Sequence, residues 1–474
     1  MSLLRIPQNR ATPERFLFRA IFVADSKLAC ITPTSYPNYV VFYQTNVAGF
    51  FDMNAISVIL GPHAELHTGI HGALIDTPPA GVTYFLPEHR YRFLFPKGSA
   101  IPFDPFRNFA FSETVEFALP ANRHVIVHSS RVPVFNRVPW LADMDCLLAT
   151  LNYGTSFAVG TGGRVQIAPE LIRRRQQLMI SHYLAGQCAG LLFCTEYARL
   201  NFLSFVEKRG LLSPPDFLRL VGKTDVVRPT VPWRGLHEQK EVQPTIVYMS
   251  RFRESKGGEV ALEVFRRINA RYGDKVRLMY VGWLPKEDAV LPPGVTFYPV
   301  LDRPAYLKLL ARGHIFLSPT EYESYGFGLI EAASYGLAVV TRRGPGMEHI
   351  EEIFEDGKNA ILVHPQGHQA ANIDAYERSV RSLLDSEGRL VAFHDNNREL
   401  FSFGALSLQV RDRKLLGYYT RLLEQIGLPN SGDVPTQSAN FAREFALESY
   451  TLSDRECSRR RALQTNINKR VLIS

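Results

Sequence analysis

Cysteine is scarce: five in 474 residues, at Cys30, Cys146, Cys188, Cys194 and Cys457. The number is odd and the scatter has no metal-ligand spacing, which favours buried thiols in a reducing compartment over disulfides. A long unbroken apolar run is missing as well. The most apolar long stretch, Tyr39 to Leu60, is interrupted by Gln44, Asn46, Asp52 and Asn54, so it does not read as a membrane span. The opening Met-Ser-Leu-Leu-Arg-Ile-Pro lacks the apolar core of a signal peptide, and a soluble cytoplasmic chain is expected. No Gly-x-Gly-x-x-Gly follows a first strand with an acid about 20 residues on, which disfavours a dinucleotide-dependent dehydrogenase. Low-complexity segments and repeats of solenoid period are absent too.

The length argues for two or three domains, and 46% apolar residues can fill sizeable cores. A net charge of +8 suits an anionic ligand or an acidic membrane surface. No nucleic acid is expected among the partners. Alternating strand and helix patterns imply α/β halves with doubly wound parallel sheets. One half is expected over residues 1–233, a second over 234–427 opening at the strand Thr245–Met249, and a polar tail over 428–474. The run Arg234 to Gln243 reads as the linker, and Leu406 to Ile426 as a long helix.

The stretch Ser318-Pro-Thr-Glu-Tyr-Glu-Ser-Tyr-Gly-Phe-Gly-Leu-Ile-Glu-Ala-Ala-Ser-Tyr-Gly-Leu-Ala-Val-Val340 is the most informative. An apolar strand-like run precedes it and another ends it. Between them Gly326 and Gly328 open a helical segment, whose free N–H groups and positive dipole end suit a phosphate. Glu323 stands at the turn. Glu331 falls inside the helix, where a carboxylate can accept hydrogen bonds from ribose or sugar hydroxyls. A second anion site is expected at Ser250-Arg-Phe-Arg-Glu-Ser-Lys-Gly-Gly258, between a strand and a helix from about Val260. There the Arg251 guanidinium matches paired phosphate oxygens and the Lys256 ammonium acts as a compact charge.

These two stretches resemble the family 4 retaining glycosyltransferases, with their Glu-x7-Glu and Gly-Arg-x4-Lys-Gly motifs; Ser250 replaces the usual first glycine. Ser318-Pro319, the Gly-Phe-Gly and the Glu-Ala-Ala-x-x-Gly strengthen the likeness. The resemblance covers roughly residues 225–427 well and the first half only in outline. It implies the two-domain GT-B fold, two Rossmann-like halves across a cleft. The implied reaction is retaining transfer of a hexose from a nucleoside diphosphate sugar (GDP- or UDP-sugar) to a sugar, lipid-linked or protein-linked glycan acceptor. By this resemblance Glu331 holds the ribose and Glu323 lies by the transferred sugar. Ser324, Tyr325, Gly326, Phe327, Gly328 and Leu329 then line the donor pocket, while Arg251 and Lys256 stabilise the leaving diphosphate without a metal or other cofactor.

In the first half, His124–Ser130 and Val138–Asp145 read as strands. The family often ends the second of these in a histidine near the reacting centre. Here Asp143 and Asp145 stand at that tip, with His128 one strand earlier. Asp143 and Asp145 are candidate catalytic residues and His128 a candidate on the acceptor side, although the aspartates could equally cap the next segment. Pro169–Leu184 reads as a helix whose Arg173, Arg174 and Arg175 form a solvated face or lie against an anionic bilayer, giving peripheral contact at the inner membrane surface. Thr195-Glu196 resembles the turn after the last strand of the first half. His67 and His71 read as polar loop histidines rather than metal ligands. Gly344-Pro-Gly-Met-Glu348 could contact the donor. Two rivals remain: a non-catalytic nucleotide-sugar-binding protein, and another GT-B enzyme such as a nucleotide-sugar epimerase.

Overall fold

The computed structural model describes residues 56–62, 66–67, 69–86, 91–93, 115–117, 125–134, 136, 138–145, 169–236, 240–250, 256–284 and 290–426. The stretches Phe16–Ala24 and Tyr39–Tyr43, whose apolar residues read as strands in the sequence, the cation Arg251 and the tail from residue 428 lie outside these. The described residues belong to one compact unit, Asn54–Ser474.

The first half runs β1 (Ile56–Gly61), α1 (Ile70–Asp76), β2 (Val82–Phe85), β3 (Tyr91–Phe93), β4 (Val115–Phe117), β5 (Ile126–Ser130) and β6 (Trp140–Met144). It continues through α2 (Pro169–Leu184), β7 (Cys188–Phe193), α3 (Glu196–Lys208), α4 (Pro214–Gly222) and β8 (Thr224–Val226). Six strands pair in parallel in the order β2-β1-β5-β6-β7-β8. β5 is buried at every position, as expected of a parallel strand covered on both faces. α1 corrects the loop expected around His67–His71. It is only seven residues long, too short for a helical period to show, and forms because Ile70, Ala73 and Leu74 bury against neighbouring elements.

The second half runs β9 (Thr245–Ser250), α5 (Gly258–Tyr272), β10 (Arg277–Gly282), β11 (Val295–Tyr298), α6 (Arg303–Arg312), β12 (Ile315–Ser318) and α7 (Phe327–Ser334). Then follow β13 (Ala338–Arg342), β14 (Ala360–Val363), α8 (Gln369–Leu384) and α9 (Glu387–Ser402). Its six parallel strands lie in the order β11-β10-β9-β12-β13-β14. The last described helix, α10 (Leu408–Glu424), follows the second half in sequence but packs on the first sheet. Leu415, Tyr419 and Leu422 lie with Val58, Ile126, Leu141 and Leu192 in one core. Lys414 Nζ on its polar side stands 3.1 Å from Asp225 Oδ1.

Both sheets reverse their strand order once, the first between β1 and β5, the second between β9 and β12. Loops leaving the carboxyl ends of the two strands at such a point diverge and leave a crevice, where ligands of open α/β sheets bind.

Candidate functional site

At the β9/β12 reversal the two loops end in Gly257 and Gly326, the N-caps of α5 and α7. Both have positive φ, 71° and 77°, and neither helix has a side-chain cap. A Cβ on Gly257 would collide with the Pro319 carbonyl oxygen, so glycine lets the two turns touch. Across that contact Lys256 Nζ lies 2.5 Å from Glu323 Oε1 and donates to the Tyr322 carbonyl at 3.2 Å. Two helix starts with N–H groups not capped by side chains, beside an ammonium, can hold an anion. The loop after β13 joins them: the Glu323 N–H donates to the Gly346 carbonyl at 3.3 Å.

Glu331 is buried within α7 and forms an ion pair with Arg303, the first residue of α6. Asp302 caps that helix, accepting from the Ala305 N–H at 2.8 Å, which fixes the turn from which Arg303 extends. Nothing in the sequence pattern marks Arg303. The other pocket candidates divide by burial. Ser324 and Gly328 are partly exposed, whereas Leu329 and Tyr325 belong to the core. The Tyr325 hydroxyl donates to the Pro229 carbonyl at 2.7 Å, so its side chain joins the two halves rather than facing the crevice. Arg251 lies outside the described residues.

The first sheet contributes from its own reversal. Phe327 packs over Gly69, where a Cβ would come within 2.6 Å of the ring. The His67 ring meets the Phe327 ring edge-on at 6.5 Å. Nδ1 of His67 accepts from the N–H groups of Gly69 and Ile70 at 3.1 and 3.2 Å, closing the start of α1. One turn further, His71 is buried and faces Asp143, with Nε2 3.2 Å from Oδ2. His128 Nε2 lies 2.9 Å from the other oxygen, Oδ1. Burial by itself would push the Asp143 carboxyl up, but the two imidazoles outweigh it and hold the group well below the usual carboxylate range. Asp145 points elsewhere, 3.9 Å from Arg131. Arg131 follows β5 with φ of 66°, a left-handed backbone that is rare outside glycine. Among the basic residues of α2, Arg173 donates to the Gly210 carbonyl.

A clamp joins the halves beside this crevice. Thr195 caps α3 through a bond from the Ala198 N–H at 3.1 Å. Glu352, from the second half, takes the first N–H groups of that helix, Glu196 at 2.7 Å and Tyr197 at 2.6 Å. Arg228 stands 3.4 Å from the same carboxylate. Among the described residues no cluster of three or more His, Cys, Asp or Glu side chains is arranged to hold a metal ion. No described helix is long and apolar enough to cross a membrane.

Residues 243–386, which carry Lys256, Arg303, Glu323 and Glu331, match the family model described as glycosyl transferases group 1. This part of the chain is a group 1 glycosyltransferase domain. A curated relative, the phosphatidylinositol N-acetylglucosaminyltransferase gpi3 subunit of Schizosaccharomyces pombe, is 28% identical over 167 residues, 34% of this chain. The chain spans 35% of that relative's length. Sucrose-phosphate synthase from Thermosynechococcus elongatus superposes with a TM-score of 0.50 at 14% identity, covering 78% of this chain and 99% of that one. That likeness is one of fold: two parallel sheets with flanking helices, of GT-B type. Within it the group 1 domain supplies the second sheet.

Proposed function

We propose that the chain is a retaining glycosyltransferase that moves a hexose from a nucleoside diphosphate sugar to a sugar, lipid-linked or protein-linked glycan acceptor. The carrying observation is the meeting of Lys256 and Glu323 between two helix starts at the strand-order reversal. In this reading residues 234–427 hold the donor and residues 1–233 face the acceptor. The bond from the anomeric carbon to the diphosphate breaks, and charge grows on the leaving oxygens. Lys256, Arg251 and the N–H groups opening α5 and α7 stabilise that charge, and a preorganised set of such donors needs little rearrangement as the bond stretches. Glu323 aligns Lys256 and lies by the sugar. Glu331, held by Arg303, accepts from the ribose hydroxyls.

The relative named for transfer to phosphatidylinositol supports a lipid-linked acceptor, and the basic face of α2 would then meet an anionic bilayer. Co-sedimentation with anionic vesicles, weakening as salt rises, is the expected result. Failure to sediment even at low salt would turn the reading toward a soluble acceptor.

The primary experiment is calorimetric titration with GDP, UDP and their hexose derivatives, beside an assay of sugar transfer and donor hydrolysis. Lys256→Ala and Arg251→Ala should each weaken diphosphate binding by about 1.5–3 kcal/mol, as for hydrogen bonds to charged groups. Unchanged affinity in both variants would sink the diphosphate assignment. Ordinary donor affinity with neither transfer nor hydrolysis would leave a binding protein, and donor turnover without an acceptor would indicate an epimerase.

A further inference from the structure

The five side chains Tyr84, Tyr419, His128, Asp143 and His71 form a continuous chain from β2 and α10 through β5 and β6 to α1. Tyr84 and Tyr419 hydroxyls are 2.9 Å apart, and Tyr419 Oη lies 2.7 Å from His128 Nδ1. The Asp143 carboxylate then lies between the two imidazoles, its oxygens 2.9 Å from His128 Nε2 and 3.2 Å from His71 Nε2. At the far end the backbone N–H of His67 donates to His71 Nδ1 at 2.7 Å. Both histidines and Tyr419 are buried, at 3%, 0% and 0% exposure, so each polar atom needs a partner within the chain.

The partners assign the protons. A backbone amide can only donate, so His71 Nδ1 carries a lone pair and the ring proton sits on Nε2, facing Asp143. A carboxylate can only accept, so the His128 Nε2 facing it also carries a proton. A neutral His128 ring then accepts at Nδ1 from the Tyr419 hydroxyl, whose oxygen accepts from Tyr84. The two ends differ. The tyrosine end can reverse, with His128 donating from Nδ1 to Tyr419 and Tyr419 donating to Tyr84. The His71 end cannot reverse, because the amide fixes it.

We infer that this chain is a positioning relay, through which the returning helix α10 sets His67 and Gly69, at the entry to α1, against Phe327 at the start of α7. Asp143 then acts through His71 on that entry and is not itself a group that touches substrate. The effect on catalysis rests on the proposed donor site at α7; the relay itself does not.

The asymmetry makes the relay testable in the full chain. In Asp143→Asn the amide has one acceptor and one donor. Its oxygen must face the fixed His71, so its nitrogen faces His128, which changes tautomer and reverses the tyrosine bonds. Nitrogen-15 spectra of ring-labelled protein should show His128 moving from the Nε2–H to the Nδ1–H form while His71 stays unchanged. Tyr419→Phe removes the hydroxyl that permits the reversal. Amide exchange at His67, Gly69 and Ile70 should rise within about twofold in Asp143→Asn and about tenfold in Tyr419→Phe. In the double variant it should exceed the product of the two, because a buried Nδ1–H is left without an acceptor. Exchange in β7, remote from the entry to α1, serves as the reference for global opening, and the donor KM should follow the amides of that entry while kcat changes less.

A His71 ring that changes tautomer with His128, a His128 ring that does not change, or effects that merely multiply would overturn the relay. The predicted tautomer change without any nucleotide-sugar binding would instead keep the relay and remove the donor reading.

Discussion

Arg303 and Glu331 form an ion pair between the first turn of α6 and the interior of α7, where the Glu331 side chain is 7% exposed. A carboxylate at that depth needs a partner to remain charged, and a guanidinium at a capped helix start supplies it with little loss of side-chain freedom. Removing the arginine leaves a buried charge behind. Arg303→Met should therefore destabilise the fold by about 3–5 kcal/mol, and Arg303→Met with Glu331→Gln by much less. Chemical denaturation measures both. Equal losses in the single and double variants would mean that the pair is not what Glu331 depends on.

The two glutamates should separate kinetically. Glu331→Gln should mainly raise the donor KM, since a ribose contact is the same in ground and transition states. Glu323→Gln should lower turnover more than donor binding, because it frees Lys256 beside the stretching bond. Steady-state kinetics at saturating acceptor, with separate titration of the bare nucleoside diphosphate, makes the comparison. Loss of bare diphosphate binding in Glu323→Gln, with Glu331→Gln unaffected, would reverse the assignment.

Glu352 ties the second half to the start of α3 through two backbone N–H groups. Glu352→Ala leaves the Thr195 cap in place but removes the acceptor of the first two N–H groups of that helix and leaves Arg228 without this partner, so a loss of about 1–2 kcal/mol is expected. The amides of Glu196 and Tyr197 should then exchange faster. Unchanged exchange at those two positions would show that the clamp is not closed in solution.

Acid should unfold the protein partly through His182. This buried residue of α2 has its pKa lowered to about 4 by desolvation, from 6.5. Between those values the unfolded chain takes up a proton that the native state refuses, so unfolding becomes easier as pH falls. Stability should drop by about 3 kcal/mol from pH 6.5 to 4, since a proton bound by the unfolded chain alone is worth about 1.4 kcal/mol for each tenfold rise in acidity. His182→Gln should flatten that part of the pH dependence. A slope equal to wild type would exclude His182 as its source.

Elements with a strong local signal were legible without coordinates. β9 and β12 are short apolar runs bounded by turns. Thr195 caps α3 with its own side chain. Strand limits shifted by one or two residues, as at Ile126 rather than His124, because the last residue to pair is decided by the neighbouring strand. α1 was not legible: seven residues containing Gly72 have too little helical preference of their own, and burial of Ile70, Ala73 and Leu74 supplies the rest.

The same division holds at the site. Local sequence by itself determined the glycine turns, the helix starts behind them and the presence of Lys256, Glu323 and Glu331 beside these turns, since each depends on residues only a few positions apart. What those side chains meet was decided by the tertiary structure. Lys256 reaches Glu323 over 67 positions, and Tyr419 reaches His128 over 291. Asp143, a candidate catalytic residue by sequence, is enclosed by two histidines from other elements. Such contacts follow from the order in which parallel strands assemble and from the return of α10 to the first sheet. Neither leaves a periodic trace in the chain, because the partners are set by burial and hydrogen-bond satisfaction across the whole fold rather than by neighbours in sequence.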